Sequence, residues 1–140
     1  MVLAEILIET KNLKQKIDQL LNCLDKVAAR DSVITDQATT KLLGLLDKYR
    51  SHLILINRVN NETNIMVAES KLSLANAIII LKTVRKKIDI LNSLIEKDDC
   101  TLDIINLINN RDKLLEEYTA ISKEIQAQEW RIEIDQESVG

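Results

Sequence analysis

The sequence predicts an all-α protein, an antiparallel four-helix bundle with coiled-coil character, and three observations carry that expectation. Proline is absent and glycine occurs only at Gly44 and Gly140, so the strongest helix breakers are missing from a chain of 140 residues. Leu and Ile recur in alternating steps of four and three along four segments, which places them on one stripe of a helix. Tyr49, Tyr118 and Trp130 are the only aromatics, so the core has to be filled by aliphatic side chains, as in interdigitating helix seams. A chain of this length buries one core well and two poorly, so a single helical domain over 1–140 is expected.

The first helix is expected over 2–29. Its stripe is Ile6, Thr10, Leu13, Ile17, Leu20, Leu24 and Val27, with Lys, Gln, Glu and Asp between. Arg30, Asp31, Ser32, Val33 and Ile34 lose the period, and Thr35 or Asp36 offers an oxygen to cap a second helix over 36–61. That helix continues the rhythm through Leu42, Leu46, Tyr49, Leu53, Ile56 and Asn60. A short irregular or hairpin segment follows: Ile65, Met66 and Val67 favour a strand, Ala68, Glu69 and Ser70 a turn, and Lys71 and Leu72 a return strand.

Ser73 is placed to cap a third helix over 73–97, whose stripe is Leu74, Ala77, Leu81, Val84, Ile88, Leu91 and Ile95. Asp98, Asp99, Cys100 and Thr101 read as a polar connection. The fourth helix, over 102–132, carries Leu107, Arg111, Leu114, Tyr118, Ile121, Ile125, Gln128 and Ile132. Residues 133–140 are expected to form a flexible tail. Each helix must hide one stripe, and antiparallel packing at a shallow angle does so with short connections.

Two helices have more apolar surface than one stripe. Ile78, Ile79, Ile80 and Leu81 point in successive directions around the third, and Leu53 to Ile56 do the same on the second. A homo-oligomer is therefore expected, with Ile78, Ile79, Ile80 and Trp130 as its candidate interface. Trp130 has a second reading, favoured here, in which it fills the end of the bundle and donates its N–H.

Composition excludes several classes of function. The 19 basic and 22 acidic residues are interspersed and give a net charge of −3, which offers no broad positive field for nucleic acid. Cys23 and Cys100 stand alone, without the spacing of a zinc site or a disulfide framework, which fits a reducing cytoplasmic setting. Glu5 and Glu9 interrupt the apolar start and no basic segment precedes it, so no export signal is read there. The most apolar run, 77–81, is far below the roughly 20 residues that cross a bilayer, so no membrane insertion is expected.

No catalytic constellation emerges, and no cofactor is expected. His52 is the only histidine and its helical neighbours Lys48, Leu55 and Ile56 provide no carboxylate to orient it, so a partly exposed surface position is expected. A di-metal bundle site needs Glu-x-x-His on two helices, and there is none. Asp98, Asp99 and Asp103 lack calcium-loop spacing and read as helix-capping acids rather than a metal site. Lys82, Arg85, Lys86 and Lys87 form a basic face on the third helix that reads as solvated.

The most unusual segment lies at the end of the second helix. Asn57, Asn60 and Asn61 share a helix face, and with Arg58 and Thr63 they make a polar corner on an otherwise aliphatic element. One reading is a site for a small polar or phosphorylated ligand. The other, favoured here, is that these groups satisfy the helix end and the following hairpin, with Asn60 fixing register.

Four segments together resemble a small bacterial family of helical proteins of unknown function known as septicolysin. They are Leu3-Ala4-Glu5 with Leu13-Lys14-Gln15-Lys16-Ile17, then Ile56-Asn57-Arg58-Val59-Asn60, then Leu72-Ser73-Leu74-Ala75, and finally Ile125-Gln126-Ala127-Gln128-Glu129-Trp130. The resemblance runs in order over nearly the whole chain. The family has Thr where this chain has Val59, a turn of the Asp-Gly type where it has Ala68-Glu69-Ser70, and charged residues where it has Ile78, Ile79 and Ile80. It implies an all-helical fold and a bacterial source, and it transfers no catalytic residue. The expectation is a non-enzymatic, self-associating helical protein that works through protein contacts.

Overall fold

The structure is a computed structural model that describes residues 1–27, 32–97 and 103–134. The expected connections at Arg30 and Asp31 and at Asp98 to Thr101, including Cys100, lie outside those residues, as does 135–140. Among the described residues there are four helices and one hairpin: α1 Leu3–Val27, α2 Ser32–Glu62, β1 Asn64–Val67, β2 Ser70–Ser73, α3 Leu74–Glu96 and α4 Ile104–Arg131. The all-α class with a hairpin between the second and third helices therefore holds. The chain divides into two compact units, one of residues 1–59 with 129–140, the other of residues 60–128.

In the first unit, α1 buries Leu3, Ala4, Ile6, Thr10, Leu13 and Ile17, the first part of the expected stripe extended by the first turn, while Leu20 and Leu24 are half-buried. The α2 helix runs antiparallel to it: His52 meets Thr10, while further along Leu45 and Lys41 share a groove with Leu20 and Cys23. The expected stripe of α2 needs correction. Leu42 and Ile56 are buried, but Leu46 and Leu53 are 40% and 43% exposed, and His52 and Leu55 are buried in their place. Leu45 and Leu46, like Leu53 and Leu55, sit on different sides of one helix, so a 3.5-residue repeat fits two stripes and packing against α1 selects one.

The start of α2 is also corrected. Ser32, Val33 and Ile34 are already helical, and the hydroxyls of Thr39 and Thr40 donate to the carbonyls of Thr35 and Asp36 at 2.7 and 3.0 Å, so neither is an N-cap. The apolar period lapses there because Val33 and Ile34 face outward, at 63% and 53% exposure, and not because the helix stops.

The first unit is closed by backbone pairing. Leu3 N–H donates to the carbonyl of Ile132 at 3.0 Å, and Ile134 N–H to that of Met1 at 2.9 Å, so Val2 and Glu133 form an antiparallel bridge. Ile134 is buried. Glu133 and Ile134 thus belong to the packed structure, contrary to the expectation of a tail free from 133 onward, because main-chain bonds and one buried isoleucine hold them.

In the second unit, β1 and β2 pair antiparallel with Ile65 opposite Leu72 and Met66 opposite Lys71. Ile65 and Leu72 share one face of the ribbon, where Ile65 is buried, while Met66 and Lys71 are exposed on the other. Ala68 and Glu69 make the turn with φ of 47° and 66°, the positive values that a tight hairpin with the right-handed strand twist demands. Leu74 N–H donates to the carbonyl of Thr63 at 2.7 Å, joining the two ends of the hairpin.

Ser73 caps α3: its extended backbone leaves the side-chain oxygen to accept from Asn76 N–H at 3.1 Å. Leu74, Ala77, Val84 and Ile88 of the expected stripe are buried. Asp103 does the same for α4, accepting from Asn106 N–H at 3.1 Å. The two helices run antiparallel, since Asn92 meets Arg111 and Arg85 meets Tyr118. Ile121 and Ile125 are the buried centre of the α4 stripe.

Candidate interaction surfaces

The α2 helix of the first unit carries apolar side chains that face outward. Leu43, Leu46, Leu53 and Ile54 are 57%, 40%, 43% and 63% exposed. Leu43 and Ile54 lie on the side of the helix turned away from His52 and Ile56, and Leu46 and Leu53 lie on the flank next to Leu42. Between them Asp47 and Arg50 face solvent and pair with each other at 3.8 Å. The sequence held a signal for this face: Leu42 with Leu43 and Leu45 with Leu46 put leucine on both sides of one helix, which a single seam cannot bury.

The inward side of α2 carries His52, which was expected at the surface and is 5% exposed. This correction follows from the shifted stripe. Its Nδ1 lies 3.4 Å from Thr10 Oγ1, and that hydroxyl is 2.7 Å from the carbonyl of Ile6. A hydroxyl has one proton; with it directed at the nearer Ile6 oxygen, Thr10 accepts from His52, which assigns the imidazole proton to Nδ1. No carboxylate is part of this pair. His52 is a satisfied core residue, and no buried side-chain nitrogen or oxygen among the described residues lacks a partner.

The polar corner at the end of α2 falls on both units. Asn57 and Arg58, in the first, are exposed; Asn60 and Thr63, in the second, are half-buried, and Asn61 is exposed. Asn57 and Asn61 are both engaged in polar or electrostatic contacts. The carbonyl of Thr63 receives Leu74 N–H, so this residue has a backbone role in anchoring the hairpin.

Of the candidate interface residues, Ile79 is 60% exposed while Ile78 and Ile80 are half-buried. Ile90, at 53% exposure, shares an open depression with Ile79, Thr83 and the Lys82, Lys86 and Lys87 side chains. Arg85 is occupied: it pairs with Asp89 at 3.4 Å, and its guanidinium lies 5.9 Å from the centre of the Tyr118 ring. Trp130 is 58% exposed, which corrects the expectation that it fills the end of the bundle. It stands two positions beyond Gln128, roughly 200° around the helix from that stripe residue. Next to it, burial raises the pKa of the half-buried Glu129 carboxyl.

No family model, curated protein or solved structure matches the chain.

Function must therefore be argued from these surfaces. Among the described residues, no group of three or more His, Cys, Asp or Glu side chains is placed to hold a metal ion. Of the three acids considered for one, Asp103 caps α4 and the other two lie outside the described residues. Cys23 is exposed and free. Among the same residues no helix is long and apolar enough to cross a membrane. What the arrangement offers chemically is apolar helix surface bordered by single charges, which suits side-by-side association with another helix.

Proposed function

We propose that this protein is a non-enzymatic helical module that self-associates and acts through protein–protein contacts in a bacterial cytoplasm, without a cofactor and without nucleic acid as a partner. The observation that supports this reading most is the outer side of α2, where Leu43 and Ile54 are 57% and 63% exposed on a helix whose opposite side is already packed. Large apolar side chains kept in contact with water are costly, and covering them by association removes that cost. The resemblance of four segments to the septicolysin proteins supports including membership of that family in the same proposal, taken as a helical fold and not as a lytic agent.

Native mass spectrometry tests the reading, because it reports subunit number and bound mass together. The expected result is twice 16.0 kDa or a higher integer multiple across micromolar concentrations. A monomer across that range would overturn the proposal. An added small mass that disappears in Arg58→Ala would replace it with the alternative, a ligand module built on Asn57, Arg58 and Asn60. Release of dye from lipid vesicles would point to membrane activity instead.

A further inference from the structure

We infer that the outer face of α2 is a dimerisation surface, and that it pairs antiparallel with the same face of a second copy about a two-fold axis between positions 48 and 49. The inference rests on the self-association proposed above and specifies its geometry. Leu43, Asp47, Arg50 and Ile54 follow one another in steps of four, three and four, so they form a single stripe along the helix. All of them face solvent: Leu43 and Ile54 are 57% and 63% exposed, and the Asp47 and Arg50 side chains 76% and 73%. His52, on the opposite side of the helix, packs inward.

The order along this stripe is apolar, acidic, basic, apolar. Laid against itself in the opposite direction, it sets Leu43 against Ile54 and Asp47 against Arg50, and the symmetry produces each pairing twice. Such a surface is complementary to itself, as an isologous interface requires. A parallel arrangement would set Asp47 against Asp47 and Arg50 against Arg50, so charge selects the antiparallel one. Leu46 and Leu53 lie on one flank of the stripe, at 40% and 43% exposure. The two-fold axis keeps that flank on the same side in both copies, so Leu46 of each comes beside Leu53 of the other. In the single chain the Asp47 and Arg50 pair at 3.8 Å is about three-quarters exposed; between two copies each carboxylate gains a second guanidinium.

A charge exchange tests the geometry by sedimentation velocity over a range of concentrations. Asp47→Arg alone and Arg50→Asp alone each place like charges across the axis, and each is expected to weaken the dimer by about tenfold or more. An equimolar mixture of the two variants puts opposite charges back at both positions and is expected to form a heterodimer of near-parental affinity. Both sites are exposed, and an unchanged circular dichroism spectrum separates loss of pairing from loss of fold. Leu43→Lys and Ile54→Lys supply the same reading through the apolar ends. If the parent protein is an oligomer whose affinity none of these substitutions changes, this surface is wrong and self-association stands. If the mixture shows no recovery, the antiparallel register is wrong. If the parent protein is monomeric throughout, both ideas fall together.

Discussion

His52 Nδ1 lies 3.4 Å from Thr10 Oγ1, a contact between two buried polar side chains that joins α2 to α1. A histidine in an aliphatic seam is tolerated only with a partner, because a buried unpaired ring nitrogen costs about 1–3 kcal/mol. Thr10 occupies the matching level on α1, and its proton is directed at Ile6. A double-mutant cycle should detect the pair. Thr10→Val and His52→Leu are each expected to lower the urea midpoint, with a coupling energy of about 0.5–1 kcal/mol between them. Strict additivity would mean that the contact contributes nothing to stability.

Stability should respond to pH through Glu129. Burial raises its carboxyl pKa above the ordinary value of 4.5, so the folded state holds this proton more tightly than the unfolded chain does. The stabilising contribution is complete below 4.5 and is lost as pH rises through the folded value. Glu129→Gln keeps the shape without the charge. It should be more stable than the parent near neutral pH and equal to it in acid. Thermal melts of both proteins across that range check the sign, and a neutral-pH loss in the glutamine variant would contradict it.

The hairpin turn is built from residues poorly suited to it. Ala68 and Glu69 hold φ of 47° and 66°, a region that costs a side chain with a Cβ roughly 1 kcal/mol. Asn and Gly adopt it readily. Ala68→Asn with Glu69→Gly should therefore raise the denaturant midpoint, by about 0.5–1 kcal/mol for the pair. An unchanged or lower midpoint would show that the turn is not strained in solution.

Gly44 lies inside α2, and a Cβ placed there would meet no atom within 4 Å apart from its chain neighbours and the adjacent backbone of its own helix. Alanine should restrict the unfolded chain and favour helix without any clash, so Gly44→Ala is expected to stabilise by about 0.5–1 kcal/mol. Calorimetry reads the gain directly. A destabilised variant would mean that something other than solvent occupies that position.

By itself the sequence determined the elements, because they depend on local chemistry. The absence of proline and the four-three spacing place four helices, Ser73 marks the start of α3, and the strand-favouring residues 65–67 mark the hairpin. The buried centres of the α1, α3 and α4 stripes were legible for the same reason: Ile6 to Ile17, Leu74 to Ile88 and Ile121 with Ile125 follow the four-three spacing.

Tertiary structure decided what a repeat cannot. On α2, leucine and isoleucine occur around most of the circumference, so two stripes satisfied the period equally well; only α1, with Thr10 opposite His52, determines which is inside. The same choice buries Leu55 and exposes Leu53 and Ile54, and it creates the face proposed for pairing. Trp130 and Ile134 carry the same lesson: burial depends on what stands opposite, and a residue's opposite number across the fold is distant in sequence. Ile134, beyond the end of α4, is held because its N–H finds the carbonyl of Met1 at 2.9 Å. No local pattern encodes that long-range hydrogen bond, since it exists only once the chain has folded.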